Sequence, residues 1–193
     1  MSDICYVIAS GPSLIGFDFD ALPDGPRIGA NRSACLANCD MLCTVDRNFH
    51  MREAEVIKRF GKNAYVALPN TTHPVYPEVN YWRHAQDRDG LARAPHTLAG
   101  SNSGFASFNL AIQLGFAEIA LLGFDFKWDG NRSHFHEGYN QKRHIERNLR
   151  AWAQAFDTAA PLVREMGIRV TNFVGPMGSM VKAFPTAPLG ELT

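Results

Sequence analysis

Short apolar runs alternate with helix-like segments along most of the chain, and this alternation constrains the fold more than any other feature. The apolar runs, each ending in polar or turn-forming residues, are 4–9, 27–33, 40–46, 64–68, 118–126 and 168–175. The helix-like segments are 33–39, 51–61, 101–115, 141–167 and 178–184. This order predicts an α/β fold, a single Rossmann-like domain with a mostly parallel sheet flanked by helices.

Two features interrupt the pattern. Pro161 falls inside the helix-like segment 141–167 and is expected to kink or break it. Residues 69–100 are rich in proline, asparagine and aromatic side chains and show no clean period. An irregular stretch of this length is either functional or disordered, so it is interpreted as a lid or substrate loop, with disorder as the alternative.

Size and charge limit the kind of protein. The chain has 193 residues, of which 46% are hydrophobic, and this predicts one nucleotide-binding domain over residues 1–193. Lysine and arginine balance aspartate and glutamate at 19 each. That balance argues against a protein built mainly to bind duplex nucleic acid, although a locally basic patch remains open.

The four cysteines are Cys5, Cys35, Cys39 and Cys43. Apolar residues surround them and no second ligand pair follows at metal spacing, so buried free thiols are favoured over a metal site. Free thiols indicate a reducing compartment. The start of the sequence lacks a signal-peptide pattern and no apolar stretch approaches the ~20 residues of a membrane span. We therefore expect a cytoplasmic protein without a transmembrane segment.

Polar residues follow several of the predicted strands. Ser10–Ser13 follow the first, Asn31 the second, Asp46 the third, and the loop 127–138 follows the strand 118–126. Open parallel sheets bind ligands at the carboxyl ends of their strands, so these residues are expected to share one rim. Taken alone, the Ser10–Ser13 turn is either an anion-binding turn or an ordinary strand-to-turn connection.

Two further elements have a functional and a plain interpretation. The serines and asparagine of 101–103 could bind a phosphate at the start of a helix, or simply cap it. His134 and His136 alternate in sequence, so in an extended loop they would face opposite sides and would not together hold a metal. A single histidine acting as a general base is chemically the better reading of His134, and an exposed loop histidine is the alternative.

Four segments, taken in order, resemble the bacterial sialyltransferases that build sialylated lipooligosaccharides. They are ASGPSL, GANRS, NSGFASFNLAIQLGFAEIALLGFDF and NRSHF. The same skeleton is similar to a wider superfamily that includes the archaeal hydroxymethylpterin pyrophosphokinases and many phage or bacterial proteins. The resemblance implies a Rossmann-like domain that binds a nucleotide-activated sugar donor without a required metal or other cofactor, and an acceptor glycan or other hydroxyl compound.

The resemblance also implies roles for individual residues. It makes His134 the general base that deprotonates the acceptor, with Arg132 and Ser133 next to the substrate. It places Asp125 in a structural position or close to the ribose. The residues it implies in nucleotide contact are Ser10, Gly11, Pro12, Ser13, Asn31, Ser103 and Gly104. Tyr76 and Tyr81 are candidates for the family's two tyrosines around the departing phosphate, and Arg93 is the nearest candidate for its arginine close to the helix-opening segment.

Asp46 departs from the family, in which the sialyltransferases carry an asparagine. A carboxylate beside a nucleotide phosphate suits a bridging cation, so a Mg²⁺-dependent pyrophosphokinase is the alternative function. The same carboxylate would equally suit hydrogen bonding to a sugar hydroxyl. A non-catalytic nucleotide-binding protein is the third hypothesis, and a homo-oligomer is left open.

Overall fold

The computed structural model describes residues 4–69, 73–85, 90–130, 132–137 and 142–192. Eight strands form one sheet in the order β10-β9-β8-β1-β2-β3-β4-β5, and every neighbouring pair is parallel. Their bounds are β1 Ile4–Ile8, β2 Arg27–Ala30, β3 Met41–Thr44, β4 Ala64–Val66, β5 Asn80–Tyr81, β8 Glu118–Leu122, β9 Arg169–Val174 and β10 Thr186–Pro188. Two short strands, β6 Arg83–His84 and β7 Thr97–Leu98, pair separately.

The order in which the chain adds strands to the sheet reverses between β1 and β8. From β1 the chain builds outward through β2, β3 and β4, and it then returns to place β8 on the other side of β1. The register pairs Ile4 with Glu118 and Ile8 with Leu122. The two strands therefore end level with each other, and their carboxyl ends border the crevice where open α/β sheets bind ligands.

Helices cover both faces of the sheet. The helices are α1 Ser33–Leu36, α2 Arg47–Arg52, α3 Ala54–Phe60, α4 Ser103–Gln113 and α5 Lys142–Glu165. Alternate residues of β1 point to opposite faces, so Cys5 and Val7 join one core and Tyr6 and Ile8 another. The first core includes buried residues of α4 and α5.

Helix α4 is buried along ten of its eleven residues, from Ser103 to Ile112. Its sequence is apolar on all sides, which is typical of a helix enclosed by a larger protein. Asn102 caps it, because its side-chain oxygen accepts a hydrogen bond from the backbone N–H of Phe105 at 2.9 Å. The cap thereby fixes the residue at which α4 begins.

The α/β fold predicted from the sequence is confirmed, whereas several boundaries differ. The expected helix 51–61 is two helices, and the first begins at Arg47 because Asp46 caps it. Pro161 does not interrupt α5, which runs through it. The described parts of 69–100 are irregular apart from three two-residue strands, and 70–72 and 86–89 lie outside the described residues.

The prediction of a closing helix over 178–184 is wrong. The segment is irregular and leads into β10. The hydroxyl of Ser179 donates to the Phe124 carbonyl at 2.5 Å and accepts from the Val181 N–H at 3.0 Å. Such side-chain bonds compete with helical ones, and here they fasten the segment to the end of β8. Among the described residues no helix is long and apolar enough to cross a membrane.

Candidate functional site

The turn at residues 10–13, here called the first turn, is held against the end of β8. The backbone N–H of Ala9 donates to the Leu122 carbonyl at 2.9 Å, and that of Gly11 donates to the Gly123 carbonyl at 2.8 Å. A Cβ atom at Gly11 would lie 2.4 Å from both the Gly123 oxygen and the Asp125 Oδ2 atom. Only glycine fits this approach, so the first turn lies directly on the crevice between β1 and β8.

Asp125 fixes the far end of the first turn. Its two carboxylate oxygens accept from Ser13, one from the backbone N–H at 2.8 Å and one from the hydroxyl at 2.7 Å. Asp125 is 1% exposed. Burial raises its pKa, and the bonds from Ser13 and the charge of Lys127 oppose that rise. The contacts of Asp125 thus agree with a structural role, one of the two alternatives considered for it.

The loop 132–137 lies against the other end of the first turn. The backbone N–H of Phe135 donates to the carbonyl of Ser10 at 2.9 Å. The Phe135 ring packs 5.7 Å from that of Phe19 and joins the core on that side of the sheet. His134 directly precedes Phe135, so the backbone that carries it is bonded to the first turn.

His134 is held by its neighbour Ser133. The Ser133 hydroxyl and the Nδ1 atom of His134 lie 2.6 Å apart, within hydrogen-bond distance. Burial, together with the nearby His136, lowers the pKa of His134 to about 4. The rings of His134 and His136 are 5.6 Å apart. The imidazole of His134 is therefore neutral at pH 7 and able to accept a proton.

Asn31 ends β2 on the next strand of the sheet. Its φ of 53° lies in the left-handed region, which asparagine tolerates better than most residues. Its backbone N–H donates to the Cys43 carbonyl at 3.1 Å. Its buried Oδ1 atom has no hydrogen-bond partner among the described residues. A buried acceptor without a partner calls for an explanation, and a bound ligand supplies one.

The start of α4 reaches the same rim. The Ser103 hydroxyl accepts from the backbone N–H of Val45 at 3.1 Å, just after β3. A Cβ atom at Gly104 would lie 3.6 Å from the Cβ of Ala9, the last residue before the first turn. The Nδ2 atom of Asn102 is buried without a partner among the described residues. The amino end of α4 therefore faces the rim with an unused donor.

Asp46 is engaged in capping α2. Its Oδ1 atom accepts from the backbone N–H of Asn48 at 2.8 Å and from that of Phe49 at 3.2 Å. Capping alone accounts for an aspartate at this position. In the part of the chain that the structure describes, no cluster of three or more histidine, cysteine, aspartate or glutamate side chains could hold a metal ion.

Arg132 and Arg32 differ in their surroundings. Arg132 is exposed, and its backbone N–H donates to the Asp129 side chain at 2.6 Å in a tight turn that precedes His134. Arg32 follows Asn31, pairs with Glu53, and its charge helps to lower the pKa of His136. Arg32 is thus a cation at the rim that the sequence analysis did not single out.

Three sequence candidates lie away from this rim. Tyr81 lies on β5, four strands from β1, or roughly 19 Å at ordinary strand spacing. Its hydroxyl bonds with His50 at 2.9 Å, and Tyr76 stacks on the same histidine. Arg93 is exposed next to Ala92, which Asn109 ties to the later turns of α4. The structure therefore does not bring these three residues to the first turn.

The remaining candidates do come together. The ends of β1, β2, β3 and β8 and the start of α4 bring the first turn, Asn31, Ser103 and Asp125 to one rim, and the Phe135 bond adds His134. Ser33 also belongs here, because its hydroxyl lies 2.8 Å from that of Ser10. Sequence reasoning left phosphate binding and capping open for the serines and asparagine of 101–103, and it missed Ser33, which lies in the motif ANRS.

The sheet and its crevice define an α/β protein with a Rossmann-like fold. The structure is similar to that of the MAf glycosyltransferase from Magnetospirillum magneticum AMB-1, with a TM-score of 0.65 and 17% sequence identity. The match covers 99% of this chain and 34% of the MAf glycosyltransferase chain, so this chain spans about a third of the length of that protein. At this identity the likeness shows the fold. No family model matches the chain, and no curated protein matches it significantly.

Proposed function

We propose that the chain transfers a sugar from a nucleotide-activated donor to an acceptor hydroxyl, with His134 as the general base. The observation that carries this proposal is the hydrogen bond from Phe135 to Ser10. It ties the backbone next to a neutral, partly buried imidazole to the turn that borders the crevice between β1 and β8. The glycosyltransferase-like fold supports the same class of reaction.

The donor nucleotide lies across the first turn toward Asn31 and the start of α4. The amino end of a helix attracts phosphate, since its N–H groups and dipole favour negative charge. The unpartnered Nδ2 of Asn102 is a further donor at this end, and the unpartnered Oδ1 of Asn31 is an acceptor for a base or ribose group. Together these groups suit a ligand that contains both a phosphate and a nucleoside.

The transfer balances as a single displacement. The acceptor oxygen loses its proton to His134 and forms a bond to the anomeric carbon of the donor. The bond between that carbon and the phosphate oxygen breaks, and the nucleotide leaves with the electron pair. Donation from Nδ1 to Ser133 would fix the tautomer in which Nε2 carries the lone pair. Donors at the start of α4 would stabilise the leaving phosphate.

The pKa of His134 fits this role only in the presence of the donor. A pKa of about 4 keeps the ring neutral but makes it a weak base. Phosphates within about 4–6 Å would favour the imidazolium and raise the pKa toward the working pH. Donor binding and activation of the base are therefore coupled in this proposal.

The test is the release of nucleotide from a panel of CMP-, UDP- and GDP-sugars, with water or added alcohols as acceptor. Wild-type protein should release nucleotide from at least one donor. His134→Gln should lower kcat by about 10²–10⁴-fold with donor affinity nearly unchanged. His84→Gln is the matched control, because that histidine lies on β6 in the separate two-stranded sheet and bonds to the Gly100 carbonyl at 3.0 Å.

Two results would count against the proposal. If His134→Gln reduces donor affinity as much as turnover, the histidine binds rather than catalyses. If nucleotide release from every sugar donor is absent while ATP is consumed only with Mg²⁺ and Asp46 intact, the pyrophosphokinase alternative replaces it. The Mg²⁺ arm and an Asp46→Asn variant therefore belong in the same experiment.

A further inference from the structure

A cavity of about 400 Å³ lies on the other flank of the crevice and has no part in the donor site proposed above. It is lined by Lys127, Trp128, Leu149, Arg150 and Met180. Its size is in the range of small-molecule sites. The lining combines two cations, an indole and two apolar side chains, and none of these described lining residues is acidic.

The cavity belongs to the β8 and β9 side of the sheet. Lys127 and Trp128 follow the end of β8, and Met180 follows β9, with its N–H bonded to the Asp125 carbonyl at 3.0 Å. The proposed donor residues Asn31 and Ser103 lie on the opposite flank, at the ends of β2 and β3. His134 lies between Trp128 and Phe135 in the chain, and Phe135 is bonded to Ser10 in the first turn, so this loop connects the two flanks.

The two cations of the cavity are available to an anion. Arg150 is exposed and forms no ion pair or hydrogen bond with any residue that the structure describes. Lys127 donates to the carbonyl of Met177, and an ammonium group has three donors, so that one bond leaves capacity for others. The charge of Lys127 also reaches Asp125, whose pKa it lowers. The cavity is therefore positive, and it adjoins Asp125, which holds the first turn through Ser13.

We infer that this cavity is the acceptor subsite and takes an acidic sugar, meaning a sugar ring that carries a carboxylate or a phosphate. The anion pairs with Arg150 and Lys127, because guanidinium and ammonium groups form strong charge-assisted bonds to such groups. The ring packs on the indole of Trp128 and on the apolar side chains. The role as acceptor rests on the proposed function, whereas the binding itself does not.

The experiment measures binding of single sugars without any nucleotide. Glucuronate, glucose 6-phosphate and glucose are titrated against the protein, and affinity is read from saturation-transfer NMR. At least one charged sugar should bind ten times or more tightly than glucose. Tight binding of glucuronate alone would identify the carboxylate as the recognised group, and tight binding of glucose 6-phosphate alone would identify the phosphate. Tight binding of both sugars would identify their shared negative charge.

Variants locate the binding. Arg150→Gln and Lys127→Gln should each weaken the charged sugar by roughly tenfold or more and leave glucose unchanged. Arg164→Gln on the same helix is the control, since its guanidinium bonds to the Ala183 carbonyl instead. Equal affinity for charged and neutral sugars, no binding of either charged sugar, or unchanged binding in both variants would overturn the inference. Nucleotide release from the sugar donors is measured on the same preparations. Failure of the sugar-binding inference and failure of the proposed function can therefore be distinguished.

Discussion

The backbone N–H of Phe135 donates a 2.9 Å hydrogen bond to the carbonyl oxygen of Ser10. The two residues are far apart in the chain, and the bond joins the loop after β8 to the turn after β1. It brings the Ser133–His134 pair to the same crevice as the first turn and the start of α4. The proposed reaction depends on this juxtaposition, and the predictions below test its parts.

Replacing Gly11 by alanine should destabilise the first turn. The added methyl carbon would lie 2.4 Å from a backbone oxygen and from the Asp125 carboxylate, so the turn must move. We expect the free energy of unfolding to fall by about 1–3 kcal/mol and nucleotide affinity to fall with it. Denaturant titration with and without nucleotide measures both. Gly190→Ala is the control, because its added carbon meets no atom within 4 Å; equal behaviour of the two variants would contradict the close approach.

Removing the hydrogen bonds between Asp125 and Ser13 should also lower the stability of the protein. Asp125→Asn leaves one of the two Ser13 donors without a good acceptor in a buried place, for a loss of about 1–3 kcal/mol. Ser13→Ala keeps the backbone bond and should cost less. The exposed Asp24→Asn serves as the reference for losing a carboxylate charge. If Asp125→Asn were no more destabilising than Asp24→Asn, Asp125 would not hold the turn.

Asn102→Asp separates capping from ligand binding. The carboxylate can still accept from the Phe105 N–H, and aspartate is as good a cap as asparagine, so thermal stability should be kept or rise slightly. The unpartnered Nδ2 donor is lost and a negative charge faces the phosphate, so nucleotide affinity should fall at least tenfold. Calorimetric titration measures the affinity. Ser101→Asp adds the same charge next door without removing the amide; a similar loss in both variants would assign the effect to charge alone.

The partly buried, neutral state of His134 should make stability depend on pH. The folded pKa of about 4 lies below the ordinary value of 6.5, so the unfolded chain binds a proton first as the pH falls. The contribution of His134 is therefore fully present above about pH 6.5 and is lost progressively toward pH 4, by up to about 1.4 kcal/mol per pH unit. His134→Gln should flatten the fall of Tm over this range, relative to wild type and to His84→Gln. An unchanged slope would show that the ring is not buried in its neutral form.

The rim could be predicted from the sequence because strand ends in a parallel sheet meet at one edge. Apolar runs placed β1, β2, β3 and β8, and the polar residues after them then had to be neighbours. His134 was assigned to the site only because the order of the motifs resembles that of the bacterial sialyltransferases. No local pattern predicts the bond between Phe135 and Ser10, since it joins two loops through tertiary packing.

The differences between the sequence predictions and the structure also have physical causes. Asp46 was considered next to a bridging cation or a sugar hydroxyl, and the structure adds that it caps α2, a role that its place before a helix would have allowed us to expect. The closing helix was predicted from apolar content, and the hydroxyl of Ser179 supplied competing bonds. Tyr76 and Tyr81 were matched by residue type alone, and the sheet order places Tyr81 four strands from β1.

The most direct test of the central claim is NMR of the His134 imidazole during addition of nucleotides, with His134→Gln used to assign its signals. In the free protein its pKa should be about 4. Saturation with the nucleotide that binds should raise that pKa by roughly one unit or more, because the phosphates lie within reach of the ring. If CMP, UDP, GDP, ADP and ATP all leave the His134 signals and pKa unchanged, the crevice between β1 and β8 does not hold a nucleotide beside this histidine.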